Sequence, residues 1–207
     1  MMGRAQRDAA AEPYRVALTF ADGPDDVYTP AVLDILATRG VPAVFFCVVR
    51  QVERHPDVLR RIVEEGHAVA NHTWSHPHLT RESPERVREE IERTRALIQD
   101  VAGVDPVWLR PPFGDWDAAT ATVASGLGWD IVFWDVDSAD WSGIAGPEVA
   151  GNVLSRVHGD AVVLHHSAGN VAGCPAALPY ELTVGAARGW RFVGLSDLRD
   201  TGPYRAG

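Results

Sequence analysis

The sequence predicts an α/β fold in which parallel strands curl toward a barrel. Short apolar runs alternate with amphipathic segments along most of the chain, an order typical of parallel strands joined by helical crossovers. Polar clusters directly follow several of these runs. Because barrels of this kind keep their active sites at the carboxyl ends of the strands, we expect the clusters to converge there.

Each apolar run is predicted as a strand because it is short, rich in β-branched and aromatic residues, and bounded by polar or glycine residues. The continuous run Ala43–Val49 suits a strand buried on both faces. About seven strands result, at residues 16–20, 43–49, 68–71, 107–109, 131–134, 161–164 and 190–193.

The segments between the strands carry helix start and stop signals. Thr29 and Pro30 are a predicted N-cap and first-turn proline, and Gly40 and Gly66 are predicted stops. Ser83 begins the most periodic helix, which has one apolar stripe and a charged face. Helices are predicted at residues 29–40, 56–65, 83–101, 117–127, 147–157 and 178–188.

Length and composition predict one domain. A chain of 207 residues suits a single well-buried α/β domain. We expect a disordered segment over residues 1–13 and one domain over 14–207. No signal-peptide pattern or long apolar run is present. The expectation is therefore a cytoplasmic protein as the sequence stands, or a secreted one if a leader has been removed.

The charge balance narrows the classes of molecule that the chain is expected to bind. With 28 acidic residues against 19 arginines and no lysine, the net charge is -9. This argues against nucleic-acid and membrane partners, which need a basic surface, and excludes lysine Schiff-base chemistry. The two cysteines, Cys47 and Cys174, are predicted to be free thiols. The oligomeric state is left open.

The strongest chemical signal is one carboxylate and two histidines. Asp22 follows the first apolar run, and His72 and His76 follow the third. Three protein ligands with a fourth position open for water are typical of a catalytic zinc site. Pro77 disfavours a helical conformation at His76, so these histidines are expected on a loop or a single turn.

These clusters, in their order, resemble the polysaccharide deacetylases, the NodB-homology or carbohydrate esterase family four. The resemblance spans about Val16 to Leu198. Five family motifs are matched. They are TFDDGP at Thr19–Pro24 with one change, H-S/T-x-x-H at His72–His76, R-x-P-F/Y at Arg110–Phe113, aspartate-tryptophan at Asp140 and Trp141, and L-x-H at Val163–His165 with valine for leucine.

The resemblance implies a distorted barrel of about seven strands that removes an acetyl group from an N-acetylated sugar or small conjugate. One divalent metal ion is implied, with zinc the expected ion and cobalt, nickel or manganese the alternatives. The implied ligands are Asp22, His72 and His76. By the same resemblance His165 is the general acid and Asp140 orients it.

The resemblance also assigns the surroundings of the reaction. Arg110 orients the catalytic base in the family, and the acetyl pocket is expected to be lined by Phe113, Trp141, Val163 and Pro112. His166 neighbours His165 on a strand, so its side chain is expected to point away from the site.

Ala21 stands where the family has its catalytic base, the first aspartate of TFDDGP. Three explanations stay open. The alanine is an engineered replacement, or another carboxylate such as Asp25, Asp26 or Asp137 or a metal-bound hydroxide acts as base, or the barrel serves non-hydrolytic metal chemistry or binding. The favoured prediction is a deacetylase impaired at its base, and the alternative is a pseudoenzyme that binds carbohydrate or a metabolite.

Overall fold

The computed structural model describes residues 13–201, with side chains through Leu198. The predicted disordered segment lies, except for Pro13, outside these residues. Within them eight strands form one sheet. The strands are β1 Arg15–Ala21, β2 Ala43–Cys47, β3 Ala68–Asn71, β4 Trp108–Leu109, β5 Asp130–Ile131, β6 Val136–Asp137, β7 Ala161–His166 and β8 Arg191–Phe192.

The sheet is entirely parallel among its observed pairs, and its order is β5-β4-β3-β2-β1-β7-β6, with β8 added beside the start of β1. Long apolar strands lie at the centre and two-residue strands at the edges. The result is a curled half-barrel, which confirms the predicted fold class.

Seven helices in the described part of the chain surround the sheet. They are α1 Tyr28–Ala37, α2 Val49–Arg54, α3 Pro56–Glu64, α4 Pro84–Ala102, α5 Ala118–Gly126, α6 Gly146–Leu154 and α7 Gly173–Ala187. None of these helices is both long enough and apolar enough to cross a membrane.

Successive side chains of β1 and β7 alternate between two apolar layers, one on each face of the sheet. Phe20 and Val163 point outward and pack in the cluster that also contains side chains of α1 and α7. Ala21 and Leu164 point inward and pack with Phe46. Since successive strand residues face opposite sides, position within a strand decides whether a side chain reaches the interior of the half-barrel.

The clearest departures from the predicted elements are the end of β2, the start of α7 and strand β6. The second strand ends at Cys47 because the chain turns into the unpredicted helix α2. Helix α7 begins at Gly173, not at residue 178, and contains Pro179. Strand β6 was missed because its pairing with β7 involves only Val136 and Asp137, too short a run for periodicity to reveal.

The start of α1 has a different cap from the predicted one. Asp25 Oδ1 accepts hydrogen bonds from the backbone N–H groups of Val27, Tyr28 and Thr29 at 2.7 to 3.1 Å. Thr29 lies inside the helix, and its hydroxyl donates to Ser167 O at 2.8 Å. This bond ties the first turn of α1 to the segment that follows β7 at the carboxyl edge of the sheet.

Candidate active site

Asp22, His72 and His76 meet at the carboxyl edge, as the sequence predicts. Asp22 Oδ1 lies 3.3 Å from Nε2 of His72 and 3.3 Å from Nε2 of His76. Asp22 and His76 have φ angles of 71° and 61°, a left-handed conformation that non-glycine residues adopt mainly at turns and functional sites. The loops therefore hold two of the three residues, Asp22 and His76, in an otherwise unfavourable backbone geometry.

The donor set fits a divalent cation. Asp22 Oδ1 is buried and has no hydrogen-bond partner within the described chain. His72 Nδ1 lies 2.7 Å from Arg110 O, and because a carbonyl can only accept, Nδ1 carries the proton and Nε2 keeps a free lone pair. Ligand atoms in a tetrahedral zinc site are about 3.3 Å apart, close to the separations found here.

Burial and mutual contact set the charges of this cluster. Burial disfavours ionised Asp22, but contacts with His72 and His76 outweigh this effect and hold the pKa of Asp22 well below its usual value. Burial lowers the pKa of His72 despite its contact with Asp22. An ionised carboxylate beside a neutral imidazole is the protonation state that binds a metal.

A buried carboxylate that sequence reasoning missed supports the histidine loop. Glu90 on α4 accepts hydrogen bonds from Ser75 N and Ser75 Oγ, each at 2.8 Å. Asn71 adds a second tie, since its Oδ1 accepts from Thr73 N at 2.8 Å. The loop that carries His72 and His76 is therefore anchored to both β3 and α4.

Arg110 is a buried cation beneath the site. Its guanidinium donates to Thr19 Oγ1 at 2.9 Å and to the carbonyls of Val132 and Phe133 at 3.2 Å. Its Cζ atom also lies 3.9 Å from the centroid of the Phe46 ring. Burial lowers the pKa of Arg110 to about 9. No carboxylate of the described residues lies within 4.0 Å of it, as the alanine at position 21 predicts.

A cavity of about 340 Å³ joins these elements. Ala21, which is 1% exposed, forms part of its wall together with Arg110 and the candidate metal ligands Asp22, His72 and His76, called the metal cluster below. Thr19 and Ala21 lie two residues apart on β1 and so face the same side. A longer side chain at position 21 would therefore project toward the guanidinium that Thr19 already contacts.

Asp140 holds His166, not His165, at the cavity. Asp140 Oδ1 lies 2.7 Å from His166 Nδ1, and Oδ2 accepts from His166 N at 2.8 Å. His166 lines the cavity and pairs in register with Ala21. Contacts with the two neighbouring histidines outweigh the effect of burial and hold the pKa of Asp140 below its usual value. The carboxylate fixes the proton on Nδ1 and leaves Nε2 available to the cavity.

The prediction that His165 faces the site is wrong, as is the prediction that His166 points away. His165 is fully buried on the outer face of β7, where it stacks on Phe20 with ring centroids 5.5 Å apart. Its Nε2 lies 3.1 Å from Glu181 Oε2, and its Nδ1 lies 3.7 Å from Asp140 Oδ2. Burial disfavours its charge, but Glu181, Cys174 and Asp140 raise the pKa of His165 well above its usual value.

Two of the four residues predicted for the acetyl pocket line the cavity, and two do not. Phe113 and Trp141 line the cavity, and each remains more than half exposed, at 59% and 57%. Val163 and Pro112 do not line it, and Leu164 and Pro111 do. Val163 belongs to the outer apolar layer for the same reason that His165 does.

A one-residue shift in the fifth motif explains these errors. Leu164-His165-His166 matches L-x-H without substitution, whereas Val163–His165 matches it only with valine for leucine. In a strand, a shift of one residue exchanges the two faces. The unsubstituted match was the signal in the sequence that could have identified His166 as the histidine of this motif. Trp134 and Asp137 also line the cavity and were not assigned to the pocket by the motifs.

Comparisons with known proteins agree with this geometry. Residues 8–132 match the sequence profile of the family described as polysaccharide deacetylase. A peptidoglycan-N-acetylglucosamine deacetylase of Bacillus cereus is 36% identical over 95% of this chain and 74% of its own length. A chitooligosaccharide deacetylase of a Bradyrhizobium species is 37% identical over 83% of this chain and 80% of its own length.

Solved structures show the same architecture. The Bc1960 peptidoglycan N-acetylglucosamine deacetylase superposes with a TM-score of 0.88 at 35% identity, covering 94% of this chain and 92% of that one. A BA3943 mutant, described as a family-four carbohydrate esterase pseudoenzyme with restored enzymatic activity, gives 0.85 at 26% identity over 90% and 68%. This chain therefore belongs to the polysaccharide deacetylase family.

Proposed function

We propose that this chain is a metal-dependent deacetylase of N-acetylated sugars whose catalytic base is missing at Ala21. One observation carries the proposal. The Asp22, His72 and His76 cluster, the His166 held by Asp140, and the guanidinium of Arg110 all border one cavity. These are the parts of an amide hydrolase, and the methyl group of Ala21 stands among them.

Asp22, His72 and His76 would hold one divalent cation, for which we propose zinc because two imidazoles and a carboxylate suit that ion. Such an ion polarises a carbonyl and lowers the pKa of a bound water to about 7. The remaining steps belong to protein side chains and are proposed from their positions.

His166 is proposed as the general acid. Asp140 accepts the Nδ1 proton, so Nε2 is the atom that exchanges a proton with the cavity. A protonated Nε2 would donate to the departing amine nitrogen, and the contact of Nδ1 with Asp140 would hold the ring in place. Arg110 carries positive charge at the cavity floor, which would orient a carboxylate base if one were present at position 21.

The carboxylates considered as substitute bases are not equivalent. Asp25 caps α1 through one oxygen, and neither Asp25 nor Asp26 lines the cavity. Asp137 does line it, and its Oδ1 accepts from Ala139 N at 2.8 Å. Its second oxygen makes Asp137 the one alternative base that the described cavity wall favours.

The substrate is proposed from the exposed aromatic rim and from the relatives. Phe113 and Trp141 present apolar faces at the cavity mouth, and such faces stack well on pyranose rings. Because the similar proteins act on peptidoglycan N-acetylglucosamine and on chitooligosaccharides, we propose an N-acetylglucosamine unit as the group that this cavity takes.

Restoring the base tests the proposal. The Ala21→Asp variant, loaded with zinc, should gain roughly 10² to 10⁴ in turnover of a chitooligosaccharide, the contribution of a positioned general base. Released acetate is the measured quantity. Substrate affinity should change little, since the metal cluster and the aromatic rim are unaltered.

The matched control is Asp137→Asn in both backgrounds. Residual activity of the parent chain that disappears in Asp137→Asn would identify Asp137 as the native base. A zinc-loaded Ala21→Asp protein with no gain on a panel of N-acetylated and O-acetylated sugars would refute the deacetylase proposal. The pseudoenzyme alternative would then account for the preserved cavity.

A further inference from the structure

A second cavity of about 350 Å³ lies against the metal cluster. It shares Asp22 and His76 with the active-site cavity, and its other wall is formed by Arg50, Gln51 and Arg54 of α2. The two cavities are therefore neighbours on either side of the same metal ligands. A substrate held at the metal could extend into this second space.

The two arginines of this wall are exposed, and within the described part of the chain neither forms an ion pair. Neither has a carboxylate within 4.0 Å among the described residues, in contrast to Arg61 and Arg95, which pair with Asp34 and Asp105. Acidic residues outnumber arginines by 28 to 19 in this chain. Two unpaired cations beside the metal cluster thus run against the overall charge of the protein.

Backbone hydrogen bonds fix the helix that carries these two arginines. Arg50 and Arg54 are four residues apart on α2 and so lie on one face of the helix. Val49 N donates to Thr73 O at 3.2 Å and Arg50 N to Trp74 O at 3.3 Å, and Val52 is fully buried. Helix α2 is therefore bonded directly to the loop that carries the metal histidines.

We propose that this second cavity binds a carboxylate of the substrate, so that the preferred substrate is an N-acetylated sugar with an acidic substituent. The inference rests on the proposed function and narrows its substrate class. Guanidinium groups match carboxylate geometry with two parallel hydrogen bonds, and the Gln51 amide, which lines the same cavity, supplies a neutral donor.

The test compares two sugars that differ only in charge, N-acetylmuramic acid and its methyl ester. Their dissociation constants for the zinc-loaded protein are measured by NMR titration at low and high salt. The acid should bind roughly two- to thirtyfold more tightly, as expected for two exposed ion pairs. This preference should shrink at high salt because exposed charges are screened.

The double variant Arg50→Gln/Arg54→Gln should lose the preference and keep the affinity for the ester. The control Arg60→Gln/Arg88→Gln changes the net charge equally on α3 and α4, outside both cavities, and should keep the preference.

Equal binding of acid and ester by the parent chain would overturn the inference, as would a preference that survives in the double variant. Absence of binding by both sugars would overturn it too. In each case the turnover of Ala21→Asp decides separately whether the proposed deacetylase function stands, because that assay uses a neutral chitooligosaccharide.

Discussion

Replacing His165 with leucine should destabilise the fold severely, although this histidine lies outside the cavity. His165 is 0% exposed and Glu181 is 2% exposed, with Nε2 and Oε2 3.1 Å apart. Both Glu181 oxygens lack a hydrogen-bond partner within the described chain. His165→Leu would therefore leave a buried carboxylate with no adjacent cation on the outer face of the sheet.

The expected loss follows from this burial. Removing one member of a buried ion pair costs about 3 to 5 kcal/mol in the free energy of unfolding, against about 0 to 1 kcal/mol for a surface pair. For a chain of this size the loss corresponds to a melting temperature lowered by about 6 to 20 °C. The assay is urea unfolding followed by circular dichroism.

The double variant His165→Leu/Glu181→Leu is the matched control. Two apolar side chains beside Phe20 and Leu178 should recover most of the stability, since well-packed hydrophobic pairs replace buried ion pairs without net loss. A single variant that loses less than about 1 kcal/mol, or a double variant no more stable than the single one, would refute the ion-pair reasoning.

The pH dependence has a definite sign. The folded pKa of His165 is raised above its unfolded value of about 6.5. Its contribution to stability is therefore fully present below that pH and is lost as the pH rises through the folded pKa. The gap in unfolding free energy between parent and His165→Leu should narrow over the same rise in pH.

Two further predictions concern the site. His72→Ala should reduce bound zinc from about one ion per chain to far less, because it removes one of three ligands. The control His78→Ala, which lies outside the ligand cluster, should keep its zinc. Equal zinc contents of the two variants, measured by plasma mass spectrometry, would contradict the ligand assignment. In the Ala21→Asp background, His166→Ala should lower kcat by roughly 10² to 10⁴, whereas His165→Leu/Glu181→Leu should keep its turnover. Loss of turnover in the second variant but not in the first would identify His165 as the acid.

Sequence reasoning succeeded where a pattern maps onto one physical requirement. Alternating apolar runs and helices predicted the parallel sheet, and Asp22, His72 and His76 come together as their spacing after two strands indicates. Among the residues that the structure describes, Arg110 also lacks a carboxylate partner, as Ala21 implies. These inferences required only the order of elements along the chain and the edge at which they end.

Sequence reasoning failed where a shift of one residue decides which face of a strand a side chain occupies. His165 and His166 both end β7, and only the pairing of His166 with Ala21, or an unsubstituted L-x-H match, tells which enters the interior. Glu90 could not be found at all, because its burial depends on the packing of α4 against the histidine loop. A glutamate on a charged helix looks like a solvated residue in the sequence.

The anchoring of Arg110 has a consequence for how this site can change with time. The guanidinium is held by one hydroxyl and two main-chain carbonyls, so its position does not depend on the side chain at residue 21. Some alanine codons become aspartate codons by a single nucleotide change. Exchange of aspartate and alanine at this position would therefore leave the rest of the cavity standing, and, where the codon allows it, one point mutation would suffice. Such a gene could pass between a binding protein and an enzyme without first losing the fold.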